Sequence, residues 1–161
     1  MNNTSASTTS AIPHIKVSGD ARSRGLAQGQ KLREKIQRTF SFYNDVFFKK
    51  RSLSDHDVQT KADQIKNLIQ GFNPEYCIEI EAIAEGADMP AWKIYALNAR
   101  TEILNTTAIA ECTSLFFQET RLLGQTWDWL EPMEDLVVLI QHELPNGLSF
   151  MTLTEPGMLA K

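Results

Sequence analysis

One thiol and one carboxylate are the residues of this chain whose types and spacing could do chemistry together. Cys112 opens a run of residues, 112–117, that is rich in β-branched and aromatic side chains and contains neither Gly nor Pro, which is typical of a strand. A polar Glu-Thr-Arg triplet then allows a tight reversal, and residues 122–129 read as the returning strand. Because antiparallel partners lie side by side, this hairpin is expected to bring Cys112 near Asp128 or Trp129 as a small reactive constellation.

Less reactive roles for the same residues stay open. A single cysteine is most often a small buried hydrophobe, and a single aspartate at a strand end is most often a turn residue. Under this interpretation the chain is a non-enzymatic helical binding or interaction module with Cys112 in its core. A third alternative is a cysteine hydrolase that uses a Cys–His pair, for which His142 is the nearest candidate.

Several motifs around Cys112 favour the reactive interpretation. They are ECTS at 111–114, GQTWDW at 124–129, and LNARTEI at 97–103. The opening IKVSGDARSRGLAQGQKL at 15–32 and the closing LTEPGMLAK at 153–161 add to them. With these motifs the chain resembles the acyl-coenzyme A:6-aminopenicillanic acid acyltransferase family, whose members are cysteine-type N-terminal-nucleophile (Ntn) hydrolases.

The resemblance implies an inactive precursor that cuts itself. The thiol of Cys112 would attack the carbonyl carbon of Glu111, and the cut would leave two pieces, 1–111 and 112–161, packed together as a heterodimer. The cut frees an α-amine with a reference pKa of about 7.7–8.0, which is able to take the proton of the thiol beside it. In the family an aspartate holds this amine, and Asp128 is the matching residue here.

The resemblance also implies the substrate class and the supporting residues. The substrate would be an amide or a thioester, and the partner a small-molecule amide or acyl donor. The substrate would form an acyl-cysteine, whose acyl group passes to water or to an amine. No cofactor is expected, although a coenzyme A thioester is a candidate substrate. Because buried charges need partners, Arg100 or Glu102 is expected to order the site, and Thr113 and Ser114 to help position the substrate.

Two features depart from the family pattern. Glu111 stands where the family's named enzyme has a glycine, which tolerates strained backbone better. The family's oxyanion-stabilising asparagine lies downstream of the segment that matches Lys161. Losing such a donor costs on the order of 100- to 1000-fold in rate. We therefore expect a truncated fragment of a longer enzyme, and the sequence leaves its present activity open.

The sequence predicts an α+β chain with a helical N-terminal half followed by antiparallel strands. By the resemblance these form part of an Ntn-hydrolase αββα sandwich. Residues 1–14 are predicted to be a disordered tail, 15–111 the helical pro-segment, and 112–161 the start of the nucleophile-bearing sheet. Apolar spacing and capping residues predict helices near 32–47, 54–71, 73–86 and 88–103, and further strands at 15–17, 136–140 and 148–153.

Composition excludes several functional classes. The chain has 161 residues and a net charge of −4, so it carries no basic footprint for nucleic acid. No apolar run approaches the ~20 residues that span a membrane. Two cysteines, Cys77 and Cys112, make no disulfide scaffold, which favours a reducing compartment and a cytoplasmic location. None of the three histidines has ligand spacing to another His or Cys, so no metal is expected.

Overall fold

The computed structural model describes residues 12–104, 113–127 and 130–159. It confirms an α+β chain with a helical N-terminal half. The helices are α1 (Ala21–Lys31), α2 (Arg33–Tyr43), α3 (Asp55–Phe72), α4 (Pro74–Ala87), α5 (Ala91–Asn98) and α6 (Arg100–Leu104). The strands are β1 (His14–Ser18), β2 (Ser114–Phe117), β3 (Leu122–Gln125), β4 (Val138–Glu143) and β5 (Ser149–Thr154).

The strands form a three-stranded sheet with order β1-β4-β5 and a separate hairpin of β2 and β3. β5 runs antiparallel to β4, with Val138 opposite Thr154. β1 runs parallel to β4, with Ile15 opposite Ile140. The prediction of antiparallel strands alone was therefore incomplete, because β1 pairs in parallel with β4, a strand that follows the six described helices.

One face of the sheet carries the core. Val17, Val138 and Ile140 are buried and belong to the same apolar cluster as the helices. The opposite face of β4 is half-buried, and its neighbours Met151 and Leu153 on β5 are exposed. The helices of the described chain therefore pack against one side of the sheet only.

Predicted capping residues begin two of the helices. The Ser54 side chain accepts a hydrogen bond from the backbone N–H of Asp57, and the Asp57 carboxylate accepts one from the backbone N–H of Ser54. These two bonds form a capping box at the start of α3. Asn73 caps α4, with Pro74 in its first turn. Each cap satisfies backbone donors that the first turn of a helix leaves without an intrahelical partner.

The prediction that Gly86 ends α4 was wrong. The helix continues to Ala87 and ends at Asp88, which has a left-handed backbone with φ of 56°. Gly86 instead allows α4 to approach α1, because a Cβ there would lie 2.5 Å from the carbonyl oxygen of Leu26. Gly29 on α1 is equally crowded, since its Cβ would lie 2.3 Å from the carbonyl oxygen of Ile83. Glycine is therefore required on both sides of this contact.

Some apolar residues whose spacing predicts the helices α3 and α4 are exposed in the structure. Leu68 and Phe72 at the end of α3 are 72% and 81% exposed, and Tyr76 on α4 is 42% exposed. Cys77 on α4 is buried and belongs to the apolar cluster. In the described part of the chain, no helix is both long and apolar enough to cross a membrane.

Candidate functional site

The predicted hairpin is present. Leu115 pairs with Gly124 and Phe116 with Leu123 across an antiparallel ladder. The pairing extends beyond the strands, because the backbone N–H of Thr113 donates to Thr126 Oγ1 at 3.0 Å. The N–H of Thr126 in turn donates to the Thr113 carbonyl oxygen at 2.9 Å. The last paired residues of the described ladder are Thr113 and Thr126. In the sequence, Thr113 comes directly after Cys112, and Thr126 comes two residues before Asp128.

The predicted reactive residues fall at the edge of what the structure describes. Glu111, Cys112 and Asp128 lie outside the described residues, so their roles stay predictions. Thr113 and Ser114, predicted to help position the substrate, are both exposed at the open end of the hairpin. Their exposure leaves the Ser114 side chain accessible, whereas the Thr113 backbone is engaged by Thr126.

A buried polar cluster lies among α2, α6 and the segment after β5. The Tyr43 hydroxyl donates to Glu155 Oε2 at 2.7 Å and accepts from Arg100 Nε at 2.9 Å. The Nη2 atom of Arg100 lies 3.7 Å from Glu155 Oε1. The Glu155 side chain is fully buried and that of Arg100 is 15% exposed. We call Tyr43, Arg100 and Glu155 the Arg100 cluster.

Burial and the neighbouring charge of Glu155 favour the protonated form of the Tyr43 hydroxyl in this cluster. Burial, and next the charge of Glu155, raise the pKa of Tyr43 well above its usual range, while Arg100 opposes the shift. A neutral phenol both donates and accepts, so it bridges the guanidinium and the carboxylate. The cluster thus satisfies a buried carboxylate that would otherwise be too costly to keep in the core.

The segment that contains Glu155 is fixed by further side chains. Asn98 Nδ2 donates to the carbonyl oxygen of Gly157 at 2.9 Å, and Asn98 Oδ1 accepts from the backbone N–H of Leu159 at 2.9 Å. Gln28 Nε2 donates to the carbonyl oxygen of Met158 at 3.1 Å. Side chains of α1 and α5 therefore hold the turn after β5, which contains the Glu155 partner of Arg100.

The structure separates the two charges expected to order the site. Arg100 is largely buried and paired, whereas Glu102 on the same short helix is exposed. Sequence reasoning missed Tyr43, which looked like one more apolar residue of a helical stripe, and Glu155, which looked like a turn residue. The signal for Glu155 was its place inside the LTEPGMLAK motif, where a charge stands in an otherwise apolar and turn-forming segment.

His142, the candidate for a Cys–His pair, is buried on the helix-facing side of the sheet. Its ring stacks on Phe150 with centroids 4.6 Å apart, and its Nε2 lies 3.2 Å from Thr152 Oγ1. Burial, and then the positive charge of Arg24, lower the pKa of His142. These contacts are those of a packed core histidine.

A second buried ion pair joins α1 to α4. Arg24 contacts both carboxylate oxygens of Glu79, and Arg24 Nη1 donates to the Gly19 carbonyl oxygen at 2.7 Å. Burial raises the pKa of Glu79, and this effect outweighs the attraction of Arg24. The pair resembles the Arg100 cluster in chemistry but shares no residue with it.

In the described ranges, no three His, Cys, Asp or Glu side chains are grouped to hold a metal ion. Comparison with protein-family models gave no match, and no curated protein sequence matched the chain either. The functional argument therefore depends on the motifs of the sequence and on the geometry of the hairpin and the Arg100 cluster.

Proposed function

We propose that this chain is a self-processing cysteine Ntn amidohydrolase or acyltransferase of the acyl-coenzyme A:6-aminopenicillanic acid acyltransferase type. It acts on an amide or thioester through an acyl-cysteine intermediate. The hairpin register is the observation that carries this proposal. The described ladder reaches Thr113 and Thr126, and in the sequence Cys112 directly precedes Thr113 while Asp128 follows two residues after Thr126.

In the first step the Cys112 thiol adds to the carbonyl carbon of Glu111. The carbon–nitrogen bond breaks, the thiol proton goes to the departing nitrogen, and a thioester joins Glu111 to Cys112. Water then hydrolyses the thioester, which gives a carboxylate on Glu111 and a free thiol with a free α-amine on Cys112. Asp128 orients that amine, which acts as the base for the thiol of its own residue.

In the mature chain the same thiol attacks a substrate carbonyl and releases an amine or a thiol. The acyl group then passes from sulfur to water in hydrolysis or to an amine in acyl transfer. Both reactions share the acyl-cysteine, so one site serves either outcome. Thr113 and Ser114 follow the nucleophile on an exposed strand end, a position that suits contact with a substrate.

The layer arrangement supports an αββα sandwich as the complete fold. Helices cover one face of the β1-β4-β5 sheet, and the other face carries Leu139, Met151 and Leu153 in a partly or largely exposed apolar row. The same face also carries Lys16, Gln141 and Glu143, so the part of it that is suited to packing against a second sheet is the row of Leu139, Met151 and Leu153. We propose that the described layers form one half of such a sandwich.

The test is the intact mass of purified protein during incubation at neutral pH. We expect two pieces, 1–111 and 112–161, from the wild-type chain and one uncut chain from Cys112→Ala. Cys77→Ala is the matched control, because Cys77 is a buried thiol on α4, and this variant should be cut like the wild type. An uncut wild-type chain would contradict the proposal.

A non-enzymatic interaction module is the second candidate function. It is favoured by the exposed apolar side chains at the α3–α4 connection, where Leu68 and Phe72 are 72% and 81% exposed. In that case, Cys112→Ser would leave binding unchanged and no processing would occur. A polar substitution of Phe72 would instead abolish binding of the module's partner. The two substitutions therefore distinguish an enzyme from an interaction module.

A further inference from the structure

The two edges of the three-stranded sheet differ in their chemistry. Among the described strands, the order β1-β4-β5 leaves β1 at one edge and β5 at the other. An edge strand presents a row of backbone N–H and carbonyl groups that another strand can join. Proteins usually protect such an edge with charged side chains, prolines, bulges or a covering element, so an edge without them is a surface for strand addition.

The edge at β1 is protected. The Pro13 carbonyl oxygen accepts from the N–H of Leu139 at 2.9 Å, which shows which backbone groups face β4. Because these groups alternate in direction along a strand, those of Lys16 point away from β4. The Lys31 ammonium on α1 donates to the Lys16 carbonyl oxygen at 2.7 Å. A charged side chain therefore occupies the outer side of this strand.

The edge at β5 has none of this protection. Its sequence, Ser-Phe-Met-Thr-Leu-Thr, contains no charge and no proline, and its register with β4 is continuous. The N–H of Leu144 donates to the Leu148 carbonyl oxygen at 2.8 Å, so every second residue of β5 from there bonds to β4. The backbone groups of Ser149, Met151 and Leu153 therefore point outward, where no further strand lies in the described part of the chain.

We propose that β5 pairs antiparallel with β5 of a second copy of this chain, across a two-fold axis at Met151. In this register Met151 lies opposite its own copy and Ser149 opposite Leu153, so the outward N–H and carbonyl groups of these residues are all paired. A second copy suits this edge because a strand without charges meets no like charge in itself. Such a contact closes at the dimer, since the remaining edges are the protected β1 strands.

The side chains of β5 give this pairing an apolar contact. Met151 and Leu153 are 62% and 44% exposed on one face of the strand, and Phe150 is 45% exposed on the other. Across the axis Met151 would contact the Met151 of the copy, and Phe150 would lie opposite Thr152 of the copy. Because one strand from each copy makes a small interface, we expect a dimer that dissociates on dilution.

The experiment measures the mass of the full chain by sedimentation over a range of concentrations, in the wild type, Met151→Lys and Met151→Glu. Because residue 151 lies opposite itself, either substitution sets two like charges against each other. We expect the dissociation constant of the dimer to rise about 100-fold or more. An equal mixture of the two variants sets opposite charges against each other and should recover a dimer that contains one copy of each. Circular dichroism confirms that each variant is folded.

Leu68→Lys is the matched control, because it places the same charge at another exposed apolar residue, 72% exposed on α3. This variant should dimerise like the wild type. A wild-type chain that is monomeric at every concentration, a dimer that survives Met151→Lys, or a mixture of variants that stays monomeric would overturn the inference. Dissociation by Leu68→Lys, or open assemblies larger than a dimer, would also overturn it. Self-cleavage plays no part in this measurement, so the proposed function is tested separately.

Discussion

The α1–α4 helix pair and the β2–β3 hairpin are opposite extremes of packing in this molecule. Between the helices, Gly29 and Gly86 bring the backbones so close that a Cβ would overlap the opposite chain. In the hairpin, all residues of both strands are exposed, including Phe116 and Leu123 at 63% and 70%. The helical body therefore has the packing that determines stability, whereas the residues to which we assign the chemistry are next to the hairpin in sequence.

The largest effect is expected where the helices touch. Gly29→Ala places a methyl group 2.3 Å from the carbonyl oxygen of Ile83 and 2.8 Å from the backbone nitrogen of Ala87. Because neither backbone can move independently of its helix, we expect a loss of about 4 kcal/mol or more, beyond the ~1–3 kcal/mol usual for overpacking. Urea denaturation measures this loss.

Gly71→Ala is the control for this substitution. Gly71 lies in α3, and a Cβ there would meet nothing within 4 Å. Alanine should instead stabilise the chain, by up to about 1 kcal/mol from helix propensity. Similar destabilisation by both substitutions would contradict the account of the α1–α4 contact.

The next largest effect is expected at the ion pair between the same helices. Glu79→Ala leaves the largely buried charge of Arg24 without its paired carboxylate, although the Gly19 carbonyl oxygen still accepts from it, and should cost about 3 kcal/mol. Arg24→Met combined with Glu79→Leu removes both charges and should recover most of that loss. A double variant as unstable as Glu79→Ala would show that the pair itself stabilises the fold.

A smaller effect is expected from His142 as the pH falls. The unfolded chain takes up a proton at this histidine near its ordinary pKa of 6.5, whereas the folded chain resists it because burial and Arg24 lower the pKa. The histidine therefore contributes its full stability above about pH 6.5, and that contribution is lost as the pH falls through the lowered pKa. The melting temperature should consequently drop on acidification.

His142→Gln should flatten this part of the pH profile, because glutamine does not titrate. The control is His56→Gln, which makes the same change at an exposed histidine in the first turn of α3. An unaltered pH profile in His142→Gln would contradict the assignment of this loss of stability to His142.

The smallest effect is expected in the hairpin. Phe116→Thr removes an exposed aromatic ring but keeps strand propensity, so the free energy of unfolding should change by less than about 0.5 kcal/mol. Phe40→Ala, which truncates a buried ring of the helical body, should cost about 3–5 kcal/mol in the same urea series. A large loss from Phe116→Thr would show that the hairpin packs against the body and would remove the contrast.

Local signals in the sequence were enough to predict much of the fold. Ser54 and Asn73 are recognisable helix caps, and the Glu-Thr-Arg triplet after β2 is a recognisable reversal. The parallel pairing of Ile15 with Ile140 was not predictable, because no local pattern says which distant strand a short apolar run will join. The role of Gly86 was missed for the same reason, since a helix stop and a close helix contact look alike in sequence.

The candidate site was likewise predictable from the sequence only in part. The hairpin was predictable from a tight reversal between two strand-like runs, whereas the expected approach of Cys112 to Asp128 or Trp129 involves residues outside the described ones and stays a prediction. The partners of Arg100 were beyond prediction, since Tyr43 and Glu155 lie far from it in sequence and meet it only in the folded chain.

The central claim is that Cys112 becomes an N-terminal residue whose thiol and α-amine act together. The most direct measurement is incubation with 2-cyanobenzothiazole, which condenses stably with a cysteine that carries both groups free, followed by mass spectrometry. The account predicts one label on a piece that begins at Cys112, none on Cys77, and none in Cys112→Ala. A wild-type chain that takes no label, folded or denatured, would contradict it.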